Sequence, residues 1–150
     1  MRLSSILFFS LILSLIGCKE ESDYDRLSVF LEQEFNFGEL DNYEYLIVVN
    51  EMGNCLNCND AFAKVMSNFK ENSKILYVVS GQGLLVDISY YIFSEDQSNI
   101  LIDPSNKFAK LNLVNKCAVI SIKDRNIESV NEIKLDNLEL SLEIFSEKFK

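Results

Sequence analysis

The stretch from Leu46 to Lys70 constrains this chain more than any other. Leu46-Ile47-Val48-Val49 is an unbroken apolar run, and Asn50 to Asn54 is a short polar turn. Cys55 and Cys58, two residues apart, then open a segment whose Phe62, Val65, Met66 and Phe69 fall on one helical face. The pattern predicts a buried strand, a turn and an amphipathic helix. A thiolate at a helix start meets the partial positive charge of unpaired N–H groups and becomes a nucleophile near neutral pH. A second cysteine one turn on is within reach to close a disulfide. The arrangement reads as redox chemistry.

The remaining elements follow from periodicity and punctuation. Residues 22–37 predict a helix, with Ser22 as its cap and Leu27, Phe30 and Leu31 at helical spacing, ending near Gly38. Residues 44–50 and 74–80 predict two continuous buried strands. A third strand over 98–102 is stopped by Asp103-Pro104, and a short helix follows over 106–111. Residues 84–93 lean towards helix. Residues 117–123 and 126–133 pair as a hairpin across Asp124-Arg125, and 135–149 form a last amphipathic helix. Gly81-Gln82-Gly83 is too short a motif to indicate a nucleotide. Strands alternating with helices, then a hairpin and a helix, give an α/β sandwich with a mixed sheet.

At 150 residues and 48% hydrophobic, the chain can bury one ordinary core. Its first residues fall outside that core. Arg2 precedes an apolar run from Ile6 to Ile16, which suits a signal peptide better than a membrane span. Leu15-Ile16-Gly17-Cys18 resembles the lipobox of bacterial lipoproteins. That resemblance implies a signal peptide over 1–17, acylation of Cys18 (palmitate among the acyl groups) and a membrane tether. Residues 18–42 are then tether and N-terminal helix, and 43–150 the main domain. Loss of 1–17 removes Arg2, so 14 basic residues become 13 against 23 acidic, a net charge of −10. Such a surface repels nucleic acid, so none is an expected partner. The acidic residues after Cys18 leave exposure on the outer surface open.

Histidine is absent, which excludes His triads, His general bases and most zinc or copper sites. No cofactor and no metal is expected. With Cys18 acylated, Cys55, Cys58 and Cys117 remain, one pair and one further thiol.

The element order, with Cys-x-x-Cys between strand and helix, resembles the thioredoxin fold, a three-layer α/β/α sandwich around a mixed sheet. Ile100-Leu101-Ile102-Asp103-Pro104-Ser105-Asn106-Lys107-Phe108-Ala109-Lys110 is similar to the matching stretch of membrane-anchored periplasmic thioredoxins and peroxiredoxins. The resemblance implies that Cys55 attacks and Cys58 resolves, exchanging disulfides with protein thiols or disulfides and with a redox partner in the cell envelope. Three departures stand out. Asn54 replaces the usual Trp, Val49 stands where the family has a buried carboxylate, and Cys117 takes the place of the cis-proline that packs against the dithiol. Cys117 either lies near Cys55 and Cys58, as a third thiol or a soft-metal ligand, or is a small buried hydrophobe. Peroxiredoxin chemistry needs Pro and Thr before its cysteine, and Met52-Gly53-Asn54 supplies neither. The competing expectation is a non-catalytic lipoprotein of this fold, a binding module with a structural disulfide or a soft-metal site. A disulfide closing so short a loop adds little stability, which favours the redox role.

Overall fold

In the computed structural model the sheet forms where the sequence has its longest apolar runs. The structure describes residues 21–50, 56–81 and 98–149. Strands β1 (Tyr45–Asn50) and β2 (Ile75–Ser80) are parallel, with Val48 opposite Val78 and Asn50 opposite Ser80. Every residue of β2 is buried, and all of β1 after Tyr45. Both strands are covered on both faces, which explains their unbroken apolar character. Strand β3 (Ile100–Asp103) lies parallel to β2 at one edge. Strand β4 (Ala118–Lys123) runs antiparallel to β1 and pairs with β5 (Asn126–Glu132), giving the order β3-β2-β1-β4-β5.

Helix α1 (Asp23–Phe35) and the 3₁₀ helix Lys107–Leu111 cover one face. Tyr24, Leu27 and Leu31 pack there with Leu46, Val48, Leu76, Val78, Phe108 and Ile120. Helices α2 (Leu56–Met66) and α3 (Leu138–Lys148) are on the other face. Phe62, Ala63, Met66 and Phe145 pack there with Ile47, Val49, Tyr77, Val79 and Val119. Alternate residues of each strand thus feed opposite layers. The chain is an α/β protein with a five-stranded mixed sheet among the described residues, compatible with a thioredoxin-like α/β/α sandwich. Helix α1, which the sequence groups with the tether, buries three side chains in that sandwich. Each is worth roughly 1.5–3 kcal/mol of transfer free energy.

Some boundaries differ from expectation. Ser22 does cap α1, its Oγ accepting from Asp25 N at 3.1 Å, but the helix stops at Phe35, before Gly38. Asn36 takes the left-handed conformation (φ 54°); its N–H donates to Glu32 O, and that of Phe37 to Leu31 O. Asparagine reaches that region at little cost, so it ends the helix as glycine would. Asn106 and Asn112 are also left-handed and bracket Lys107–Leu111, a 3₁₀ rather than α-helical segment. The two-residue hairpin turn falls at Asp124-Arg125 as expected, both left-handed. The last helix starts at Leu138, not 135, after Asn137 Oδ1 accepts from Lys134 N at 2.7 Å. Residues 84–93, expected as helix, lie outside the described residues.

Candidate functional site

Parallel strands bring their carboxyl ends to one edge of the sheet, where open α/β sheets place their ligands. Here that edge carries a buried polar row, Asn50 on β1, Ser80 on β2 and Asp103 on β3, in register across three strands. Helix α2 starts at the same end. Cys58 is its third residue, 1% exposed and one half of a disulfide whose other cysteine is outside the described residues. Cys55 and Cys18 lie outside the described residues too, as do 1–17 and Met52-Gly53-Asn54.

Cys117 immediately precedes β4. Because β4 is antiparallel to β1, with Ala118 opposite Val48, Cys117 sits beside the carboxyl end of β1. It is a fully buried thiol. The Asn50 N–H donates to Cys117 Sγ at 3.3 Å. The thiol has Asn50 O at 3.5 Å and Asn59 Oδ1 at 3.4 Å as acceptors for its single proton. Asn59 follows Cys58 on α2 and is 7% exposed; its Nδ2 has no hydrogen-bond partner among the described residues. Cys117 is therefore tied to the residue next to Cys58, and it also packs in the apolar cluster of α2 and α3. The described residues contain no cis peptide bond.

Val49 is buried in that apolar cluster. Among the described residues the buried carboxylate is Asp103, which the sequence presents as a strand stop and which is instead the last residue of β3. It accepts from Ser80 Oγ at 2.8 Å, Lys107 N at 2.9 Å and Phe108 N at 2.8 Å. The available signal was Asp-Pro-Ser-Asn ahead of an apolar turn, since Asp side chains commonly cap the N–H groups of a following helix. Among the described residues no three Cys, Asp or Glu side chains gather as a metal site.

At the opposite end of the sheet lies a cavity of about 610 Å³ lined by Tyr24, Tyr43, Tyr45, Ser121, Lys123 and Arg125, among others. There the Tyr24 hydroxyl donates to Asp41 Oδ1, and burial, followed by that bond, pushes its pKa up to about 12. On the α2 side, Tyr77 donates to Met66 O at 2.9 Å and burial raises its pKa well above the ordinary tyrosine value. That bond fixes the far end of α2 to β2, so the cysteine-bearing first turn is held by a helix anchored at its other end. No described helix is long and apolar enough to cross a membrane. No protein family, no curated protein and no solved structure matches this chain significantly.

Proposed function

We propose that this chain is a lipid-anchored thiol–disulfide oxidoreductase of the bacterial cell envelope, acting through Cys55 and Cys58 on protein thiols and disulfides. The observation that supports it is Cys58: a disulfide-bonded residue in the first turn of a helix that leaves the carboxyl end of a central parallel strand. In the reducing direction the Cys55 thiolate attacks a substrate disulfide, giving a mixed disulfide and releasing one substrate thiolate. Cys58 thiolate then attacks the Cys55 sulfur, the pair closes, and the second substrate thiolate leaves. The oxidising direction is the same sequence reversed, and the potential of the pair selects between them. Acylated Cys18 would hold the protein at the outer membrane or the periplasmic face, with an acidic surface turned to protein partners rather than nucleic acid.

One observation favours the second reading, a binding module with a structural disulfide. Val49 places an apolar side chain where the family's buried carboxylate assists the resolving thiol. Equilibration of the full chain, carrying Cys18→Ser, across glutathione redox buffers decides between them. Reversible interconversion of the Cys55–Cys58 pair is the expected result. A pair that stays oxidised throughout would favour the binding module.

A further inference from the structure

The amide of Asn59 is 93% buried, and its Nδ2 has no partner among the described residues, while its Oδ1 lies 3.4 Å from Cys117 Sγ. An unpaired buried donor costs about 1–3 kcal/mol. The arrangement suits a neutral thiol, whose single proton has Asn59 Oδ1 and Asn50 O as acceptors. Were Cys117 a thiolate, it could donate nothing. A half-turn of the Asn59 side-chain amide would then bring Nδ2–H to the sulfur and satisfy the orphan donor. The Asn50 N–H already donates to the same atom at 3.3 Å. Two N–H donors converging on one sulfur favour its anionic, nucleophilic form. The cysteine next to Asn59 in the chain is Cys58, itself buried and in a disulfide.

We propose that Cys117 is a second nucleophile of this site, its thiolate received by the Asn50 N–H and the Asn59 amide, and that it exchanges into the disulfide of Cys58. The Cys117 thiolate attacks the Cys58 sulfur, and the Cys58–Cys117 bond forms. The bond from Cys58 to its present partner breaks, and that partner leaves as a thiolate and takes up the proton Cys117 gave away. One disulfide is exchanged for another, so no oxidant or reductant enters. The inference deepens the oxidoreductase reading and rests on its oxidised pair. It gives the protein a resting isomer in which the attacking cysteine is reduced and Cys58 is stored with Cys117.

The test uses the oxidised full chain with Cys18→Ser, incubated without oxidant in excess N-ethylmaleimide, which captures the thiol that exchange releases. Proteolysis and mass spectrometry then follow the peptide joining 117–123 to 27–64, with fragmentation placing the bond at Cys58. The expected result is steady accumulation of that species. Asn59→Ala and the near-isosteric Asn59→Asp should slow it by about tenfold, the effect of one charge-assisted hydrogen bond. Asn59→Asp should also move the pH profile of the rate upward, which a merely structural role of Asn59 would not do. Absence of the species, in a protein whose Cys55–Cys58 pair equilibrates with glutathione, overturns the exchange and leaves the oxidoreductase reading standing. Equal rates in the Asn59 variants overturn the role of the amide. Accumulation of the species by a pair that glutathione cannot reach supports the exchange and removes the oxidoreductase reading alone.

Discussion

Removing the Asp103 carboxylate should destabilise the protein by about 3 kcal/mol. Three donors converge on that side chain: the Ser80 hydroxyl and the backbone N–H groups of Lys107 and Phe108. In Asp103→Ala the Ser80 hydroxyl can turn to Asn106 Oδ1, already 2.7 Å away, so its loss is small. The Phe108 N–H is buried and has no such alternative, and Lys107 N–H is only partly accessible. A buried donor left unpaired costs about 1–3 kcal/mol and a bond to a charged acceptor is worth about 1.5–3 kcal/mol, so together the two lost N–H bonds account for the figure. Urea denaturation followed by far-UV circular dichroism is the assay. With a slope of about 2 kcal/mol/M, the midpoint should fall by about 1.5 M. Ser80→Ala should cost about 1 kcal/mol, because both N–H bonds to Asp103 persist. A midpoint shift below about 0.5 M for Asp103→Ala would refute the reasoning, since the carboxylate would then be replaceable by solvent.

Two further outcomes follow from the core. The folded pKa of Tyr24, raised to about 12 against the ordinary 10.0, means that the folded state holds its phenolic proton more tightly than the unfolded chain. Its contribution is complete below pH 10 and is lost as pH climbs from 10 to 12, so denaturation midpoints should fall across that window, and by less in Tyr24→Phe. A midpoint independent of alkaline pH would contradict this. Phe62→Ala should cost about 3–5 kcal/mol, because the side chain is wholly buried between α2 and the sheet, and thermal unfolding at matched redox state would measure it. A loss under about 1 kcal/mol would mean that α2 is not held by that contact.

Much of the fold was legible because the signals were local. Leu46 to Val49 and Leu76 to Val79 are apolar at consecutive positions, and only a strand covered on both faces can use such a run. Ser22 marks the start of α1, and Asp124-Arg125 separates two alternating segments at hairpin spacing. What misled was asparagine. Asn36 ends α1 where Gly38 was the more obvious residue, and Asn106 and Asn112 confine the following turn to 3₁₀ geometry. A residue type that serves in turns, caps and left-handed positions alike does not announce which it will adopt.

The candidate site divides along the same line. The sequence by itself determined the α/β class, the spacing of Cys55 and Cys58 and the start of a helix close to Cys58, all set by residues within a few positions of one another. Tertiary structure alone decided that Cys117 meets Asn50 and Asn59, 67 and 58 residues away. It also decided that Asp103, rather than position 49, places a carboxyl group in the interior among the described residues. Both depend on strand order and register: β4 antiparallel beside β1, and β3 parallel beyond β2. Neighbours across a sheet are chosen by which strands pair and at what offset, and no short-range pattern in the chain encodes that choice.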